Sequence, residues 1–232
     1  MSELLIKDKD IVVPGQELAL GMDFLPNSGT FRDNDKIISS QLGLASINGR
    51  VIRIIPLNGK YAPKRGDTVI GYIKDMNFSN WFVDIGYAYD AVLSSKEISS
   101  DYIERGADLS QFYDLGDVIV AKITNVSKLK MTDLSMRGPG LRKLTDGRIV
   151  KISTVKVPRL IGKEGSMITM IKDLTSTRIT AGQNGLVWVN GDDIRKERIA
   201  IEAINMINDK SHESNLTEKV KEFLETRLKE NV

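Results

Sequence analysis

A chain of 232 residues with 33 Lys+Arg, 31 Asp+Glu, one His and no Cys has the size of two or three small soluble domains. Disulfides, thiolate zinc sites and Cys nucleophiles are excluded, and a Ser/His/Asp triad would have to rest on His212, in the polar run Lys210-Ser211-His212-Glu213-Ser214. Nothing nearby would desolvate or orient that ring, so it reads as a solvated linker residue. The start, Met1-Ser2-Glu3-Leu4-Leu5-Ile6-Lys7-Asp8, has neither a basic leader nor a long apolar core. Charges recur too often for a run of about 20 apolar residues, which is the pattern of a cytoplasmic protein with no membrane partner.

The net charge of +2 is unevenly spread. Cut at glycine- or proline-rich joints, residues 1–64 carry +1, 65–136 carry −4, 137–212 carry +6 and 213–232 carry −1. Within the third piece, Arg137, Arg142, Lys143, Arg148, Lys151, Lys156, Arg159, Lys163 and Lys172 face only Asp146 and Glu164. Such a run is either a solvated face or a polyanion footprint, since phosphate binding is driven by Lys/Arg neutralisation and counterion release.

Residues 1–64 read as short strands between Pro14-Gly15, Asn27-Ser28-Gly29, Asn48-Gly49 and Asn58-Gly59. Asn48-Gly49, between two apolar runs, predicts a hairpin with a type I′ turn. Residues 65–137 open on Gly66-Asp67-Thr68-Val69-Ile70-Gly71, continue through Asn80-Trp81-Phe82-Val83-Asp84-Ile85-Gly86 and Ala91-Val92-Leu93-Ser94, and pass a polar segment to Leu115. They resume at Gly116-Asp117-Val118-Ile119 and Asp133-Leu134-Ser135-Met136, five short strands that suit a small Greek-key barrel of OB type.

After the hinge Gly138-Pro139-Gly140 the rhythm changes. Residues 138–212 read as a strand over 148–155, a helical turn at Leu160-Ile161, the break Gly162-Lys163-Glu164-Gly165, and a helix carrying Met167, Ile168, Met170, Ile171 and Leu174. A strand pair around Gly182-Gln183-Asn184-Gly185 follows, then a helix capped by Asp192 or Asp193. Residues 213–232 predict one more helix, with Asn215 and Glu218 as a capping box and Leu216, Val220, Phe223, Leu224 and Leu228 as its apolar stripe. The fold class is therefore multidomain, β-rich plus α+β.

The GxxG break in a βααββα setting is the most specific motif. Two glycines let the backbone turn tightly and approach a sugar-phosphate chain. Leu160-Ile161-Gly162-Lys163-Glu164-Gly165-Ser166-Met167-Ile168 resembles the signature of type I KH domains, which clamp about four nucleotides of a single strand. That resemblance implies RNA contacts by Arg159, Ile161, Gly162, Lys163, Glu164, Gly165 and Ser166, with Glu164 opposing phosphate by like charge. Arg137 joins them as part of the basic run. Trp81-Phe82-Val83-Asp84-Ile85-Gly86 resembles the central motif of S-one-type RNA-binding barrels, which implies base stacking by Phe82, with Trp81 either beside it or in the core. Ser79 and Ser94 stand where that family often has a second aromatic and a His, so the base platform is reduced.

No Walker A loop, His-Glu-x-x-His helix or full GxGxxG occurs, and Asp33-Asn34-Asp35 and Asp192-Asp193 read as turns rather than metal ligands, so no catalytic residue, metal or cofactor is expected.

The barrel-then-KH order, with Val12-Val13-Pro14-Gly15-Gln16-Glu17-Leu18, Gly29-Thr30-Phe31, Leu42-Gly43-Leu44 and Ile55-Pro56-Leu57-Asn58-Gly59-Lys60-Tyr61-Ala62-Pro63, resembles the family of ribosomal RNA-processing protein four, the RNA-binding cap subunit of the archaeal exosome. The resemblance implies a non-enzymatic subunit that sits in three copies on a hexameric RNase PH-type ring, an occupancy it could share with the zinc-ribbon cap protein. By that resemblance the N-terminal domain docks on the ring, and the chain feeds the 3′ end of single-stranded RNA to active sites elsewhere. The rival reading is a free-standing RNA-binding module associated with ribosomes or transcription.

Overall fold

A computed structural model describes residues 2–98, 109–211, 213 and 215–230, so His212 and part of the segment before Leu115 lie outside the described residues. The chain divides into two compact units, Met1–Gly59 and Lys60–Val232.

The first unit consists of eight short strands: β1 (Glu3–Leu4), β2 (Ile11–Val12), β3 (Glu17–Leu20), β4 (Leu25–Pro26), β5 (Thr30–Asp33), β6 (Lys36–Ser39), β7 (Gly43–Asn48) and β8 (Val51–Pro56). They form two four-stranded sheets, ordered β1-β3-β6-β5 and β2-β7-β8-β4. Val12, Leu18, Ile37, Ala45, Ile52 and Ile54 fill the space between strands as one core. The β7–β8 hairpin pairs Asn48 with Val51, so its two turn residues are Gly49 and Arg50 rather than Asn48 and Gly49. Only Gly49 of the pair has positive φ, at 58°, which fits a primed turn with glycine first and not the expected type I′.

The second unit opens with the barrel: β9 (Thr68–Met76), β10 (Asn80–Asp84), β11 (Ala91–Ser94), β12 (Val118–Val126) and β13 (Thr132–Ser135). These run in the order β13-β11-β10-β9-β12, and pairing of β13 with β12 closes the barrel. Every second residue points inward, so Trp81, Val83 and Ile85 join Ile73, Leu93, Ile119, Ile123 and Leu134 in its core. Contacts reach across two of the expected domain limits. Tyr61 packs into this core and its hydroxyl donates to Asp67 at 2.7 Å, so the barrel body begins before the cut at 64. Burial, together with that bonded carboxylate, pushes the Tyr61 hydroxyl far above its ordinary range and keeps it a donor. At the other end β14 (Arg142–Leu144) is hydrogen-bonded to β12, so the barrel sheet runs past the Gly138-Pro139-Gly140 hinge rather than stopping at 137.

The KH fold follows as β15 (Arg148–Lys151), α1 (Val157–Ile161), α2 (Ser166–Thr175), β16 (Arg178–Ala181), β17 (Leu186–Asn190) and α3 (Ile194–Asp209). β15 is shorter than the strand expected over 148–155, because a 3₁₀ turn, Thr154–Lys156, leads into α1. The sheet order is β15-β17-β16, and Val187, Val189 and Ile179 face α2 and α3 across one apolar core. Asp193 caps α3 by accepting the Arg195 amide at 2.8 Å. The last helix, α4 (Leu216–Glu230), completes the same core with Leu216, Val220 and Leu224. Asn215 has φ 55°, left-handed rather than the extended backbone of an N-cap, so the expected capping box does not form in its usual geometry.

One side chain joins the KH fold to the barrel. Asn184 is 6% exposed; its Oδ1 accepts the Ile70 amide at 3.2 Å, and its Nδ2 donates to the carbonyls of Ile70 at 2.6 Å and Ile85 at 2.9 Å. Beside it the Gln183 amide donates to the Thr68 carbonyl at 2.8 Å, and a Cβ on Gly182 would lie 2.4 Å from Asn184 Oδ1 and 2.8 Å from the Ile70 nitrogen. Only glycine lets the two backbones approach so closely. Around these bonds Ile70, Val120, Leu144 and Trp188 form a small apolar cluster that keeps water out.

Asn184→Ala is therefore expected to lower the stability of this unit by about 3 kcal/mol or more, since it leaves three buried backbone groups unpaired at roughly 1–3 kcal/mol each. Urea unfolding measures it, and a change within about 0.5 kcal/mol, the usual scale of a surface substitution, would show that apolar packing alone holds the seam.

Candidate nucleic-acid interface

The GxxG loop links α1 to α2 through backbone that few residues tolerate. Gly162 has φ 76° and ψ 179°, a region essentially reserved for glycine, and Gly165 is left-handed at φ 82°. Glu164 is also left-handed, at φ 53°, which turns its exposed carboxylate away from a helical course. The two glycines play different parts. A Cβ on Gly162 would lie 2.8 Å from both Cβ and N of Met167, whereas one on Gly165 would meet nothing nearer than Thr169 Oγ1 at 3.9 Å. Gly162 serves the close return of the chain onto α2; Gly165 leaves open backbone beside the first turn of that helix, where amides lack helical partners.

Of the other residues expected here, Ile161 is half-buried against the KH core, and Lys163 and Ser166 are exposed at the loop and at the first position of α2. Arg159 is exposed, yet its guanidinium donates to the Glu213 carbonyl at 3.1 Å, and Lys156 donates to the Asn208 carbonyl. Lys163 alone then stands as a cation of the loop, next to Glu164. Arg137 lies apart on the barrel, donating to the Lys96 carbonyl, while its amide donates to Ser135 Oγ at 3.1 Å.

On the barrel, Trp81 and Phe82 separate. Trp81 is 0% exposed, its Nε1 donates to the Tyr113 carbonyl at 3.1 Å, and its ring meets Tyr113 edge-on at 5.6 Å. Burial pushes the Tyr113 hydroxyl above its ordinary range. Of the two places open to Trp81, beside Phe82 or in the core, it takes the core, where an inward indole presents no face to a base. Phe82, one residue on, points outward and is partly exposed, with Asp75 and Val92 opposite it on the flanking strands. The register shift between Phe82 and Val83 bends β10 at that point. With Asp84 on the same face of the strand, the surroundings are acidic, which limits this face to stacking rather than phosphate contact.

Sequence reasoning passed over Phe78. It is 95% exposed at the tip of the β9–β10 turn, which Asn77 fixes by accepting the amides of Ser79 at 3.0 Å and Asn80 at 2.9 Å. The signal was an aromatic inside a polar turn, Asn77-Phe78-Ser79, where no core can take it.

Among the described residues no group of three or more His, Asp or Glu gathers as metal ligands, and no helix is long and apolar enough to cross a membrane.

Comparison with known proteins places these features. A family model described as KH domain matches residues 147–195. The exosome complex component Rrp4 of Thermococcus kodakarensis is 46% identical over 99% of this chain and 90% of its own length. The protein of the same name from Methanothermus fervidus is 45% identical over 95% of this chain and 97% of its own. A crystal structure assigned to an exosome complex RNA-binding protein superposes with a TM-score of 0.68 at 33% identity, covering 75% of this chain and all of that one.

The unequal glycines give a test. Gly162→Ala is expected to cost about 3 kcal/mol or more, from forbidden backbone and the contact with Met167, and Gly165→Ala about 1 kcal/mol, the usual left-handed penalty. Urea unfolding of the two variants compares them, and equal losses would contradict the division of roles.

Proposed function

The chain belongs to the Rrp4 family of exosome complex components, and from that premise we propose that it is a non-catalytic RNA-binding cap subunit that delivers single-stranded RNA to an RNA-degrading ring. The observation that carries the reading is the kinship over 99% of the chain, which includes both RNA-binding modules in their order. In this reading the ring is a hexamer of phosphorolytic, RNase PH-type subunits carrying three such caps, and the 3′ end is threaded to active sites that those subunits supply. The contribution of this chain is proximity: holding RNA at the entrance raises its local concentration there. The barrel offers sequence-tolerant stacking on Phe82 and Phe78, and the KH fold offers phosphate contacts.

The first unit is assigned to ring docking. Its outer face carries a cross-strand row in which Ile11 pairs with Leu44 and Leu44 with Ile55; Ile11 is 65% and Ile55 48% exposed. Val13, Leu42 and Leu57, also exposed, extend the patch. An apolar row in a segment carrying +1 has little to offer a polyanion, but each such side chain contributes roughly 1.5–3 kcal/mol when a protein surface covers it. The partner is another exosome subunit.

Size-exclusion chromatography with a purified archaeal phosphorolytic ring tests this. The full chain should co-elute with the ring and speed degradation of bound RNA while showing no degradation alone. A chain beginning at Lys60, which keeps Tyr61 in the barrel, and an Ile11→Asp/Ile55→Asp variant should still bind RNA but elute apart from the ring. Co-elution of the variant at full strength would place docking elsewhere; failure of the unaltered chain to associate would favour the free-standing module.

A further inference from the structure

The fold sends the basic run to two ends of the KH sheet. At the GxxG end, as described, Lys156 and one edge of the Arg159 guanidinium donate to main-chain carbonyls, and Lys163 stands next to Glu164. The other end is richer. β15 begins at Arg148, β16 begins at Arg178 opposite Asn190, and β14 brings Arg142 and Lys143 from the barrel side. Between them lies an open cleft of about 510 Å³ lined by Arg142, Lys143, Arg178, Trp188 and Asn190, and also by Asp146 and Asp192, so three cations face two carboxylates there.

The arginines here are available and one is preorganised. Trp188 is 5% exposed and its Nε1 donates to the Asp146 carbonyl at 2.8 Å, so the indole is fixed. The Arg142 guanidinium lies 5.5 Å from the centroid of that ring. Held on one face by an aromatic, and with no carboxylate partner among the described residues, it keeps its edge N–H groups for a two-oxygen acceptor. Among the described residues the carboxylate that Arg178 reaches is the fully exposed Asp192, at 3.9 Å, a pair that a competing anion displaces at little cost. Lys143, in the cleft wall, is paired with Asp117, and Arg148, outside the lining at the start of β15, is paired with the buried Glu197.

We propose that this seam cleft, rather than the GxxG loop, is the principal phosphate site of the barrel–KH unit for single-stranded RNA, with Arg142 and Arg178 gripping consecutive phosphates. The inference rests on the RNA-binding reading above and names where that binding concentrates. An acidic protein segment suits the cleft less well, because the one aromatic is buried beneath Arg142 and offers no apolar anchor.

Fluorescence anisotropy with a labelled oligoadenylate, using the full chain across a salt series, tests it. Arg142→Gln/Arg178→Gln should bind roughly tenfold more weakly, with a log-affinity against log-salt slope shallower by about 1.4, from about 0.7 per lost phosphate contact. Arg142→Lys/Arg178→Lys should recover that slope and part of the affinity, which separates lost charge from damaged packing over Trp188. Lys163→Gln should weaken binding by less than the Gln pair and make the slope shallower by no more than about 0.7, since it removes at most one phosphate contact, beside the carboxylate of Glu164. Unchanged binding by the Gln pair, or a larger loss from Lys163→Gln, overturns the proposal while leaving RNA binding intact. No binding by the unaltered chain overturns the RNA reading and this proposal with it.

Discussion

The side-chain amide of Asn184 is the point on which the second unit depends. A β-barrel and a KH fold can each bury a core alone, and between them stand exposed strand ends with unpaired backbone groups. Asn184 supplies one acceptor and two donors in the geometry that the Ile70 amide and the carbonyls of Ile70 and Ile85 require. Hydrogen bonds in a dry seam cost heavily when mismatched, so they set orientation more sharply than apolar contact does. Gly182 makes the approach possible, since a Cβ there would stand 2.8 Å from the Ile70 nitrogen, while Gly185, with φ 83°, lets the same turn close onto the Ile152 carbonyl within the KH fold.

That constraint gives the proposed RNA-binding surface its form. With the KH turn fixed on β9, the sheet face bearing Trp188 closes on Ile70, Val120 and Leu144, and the charged residues of β14 and the start of β16 are left around one cleft. Phe82 and Phe78 on the barrel and the arginines of the cleft are then parts of one body rather than beads on a linker. A strand of RNA that reaches two of them loses its freedom only once, which raises the effective concentration of the second contact. Division of labour follows from charge: the barrel carries −4 over 65–136 and offers rings, while 137–172 carries +7 and offers cations.

Much of this was legible in the sequence, and the failures have physical causes. Strand alternation gave the five barrel strands, because inward and outward residues differ in polarity; the same parity, followed through Trp81-Phe82-Val83-Asp84-Ile85, already separates a buried Trp81 from an outward Phe82. Asp193 capping α3 was readable from local chemistry alone. Asn184 was read as a turn residue, since its three partners lie 99 and 114 positions away in sequence and no local pattern announces them. The basic run was legible as charge but not as place: Arg159 and Arg142 look alike until the fold gives one a carbonyl and the other an aromatic face. Tyr61 and β14 lie against the barrel from beyond its motifs, Tyr61 by burial in its core and β14 by hydrogen bonds to β12, and periodicity announces neither.

The central claim is that this exosome-family chain meets RNA through its barrel–KH unit. Photocrosslinking of thiouridine-substituted single-stranded RNA to the full chain seated on a phosphorolytic ring, with adducts mapped by mass spectrometry, addresses it most directly. Adducts in peptides spanning Phe78–Phe82 and Arg142–Arg148 are the expected result. Adducts confined to residues 2–59, or none on this chain while the ring subunits are labelled, would contradict the account.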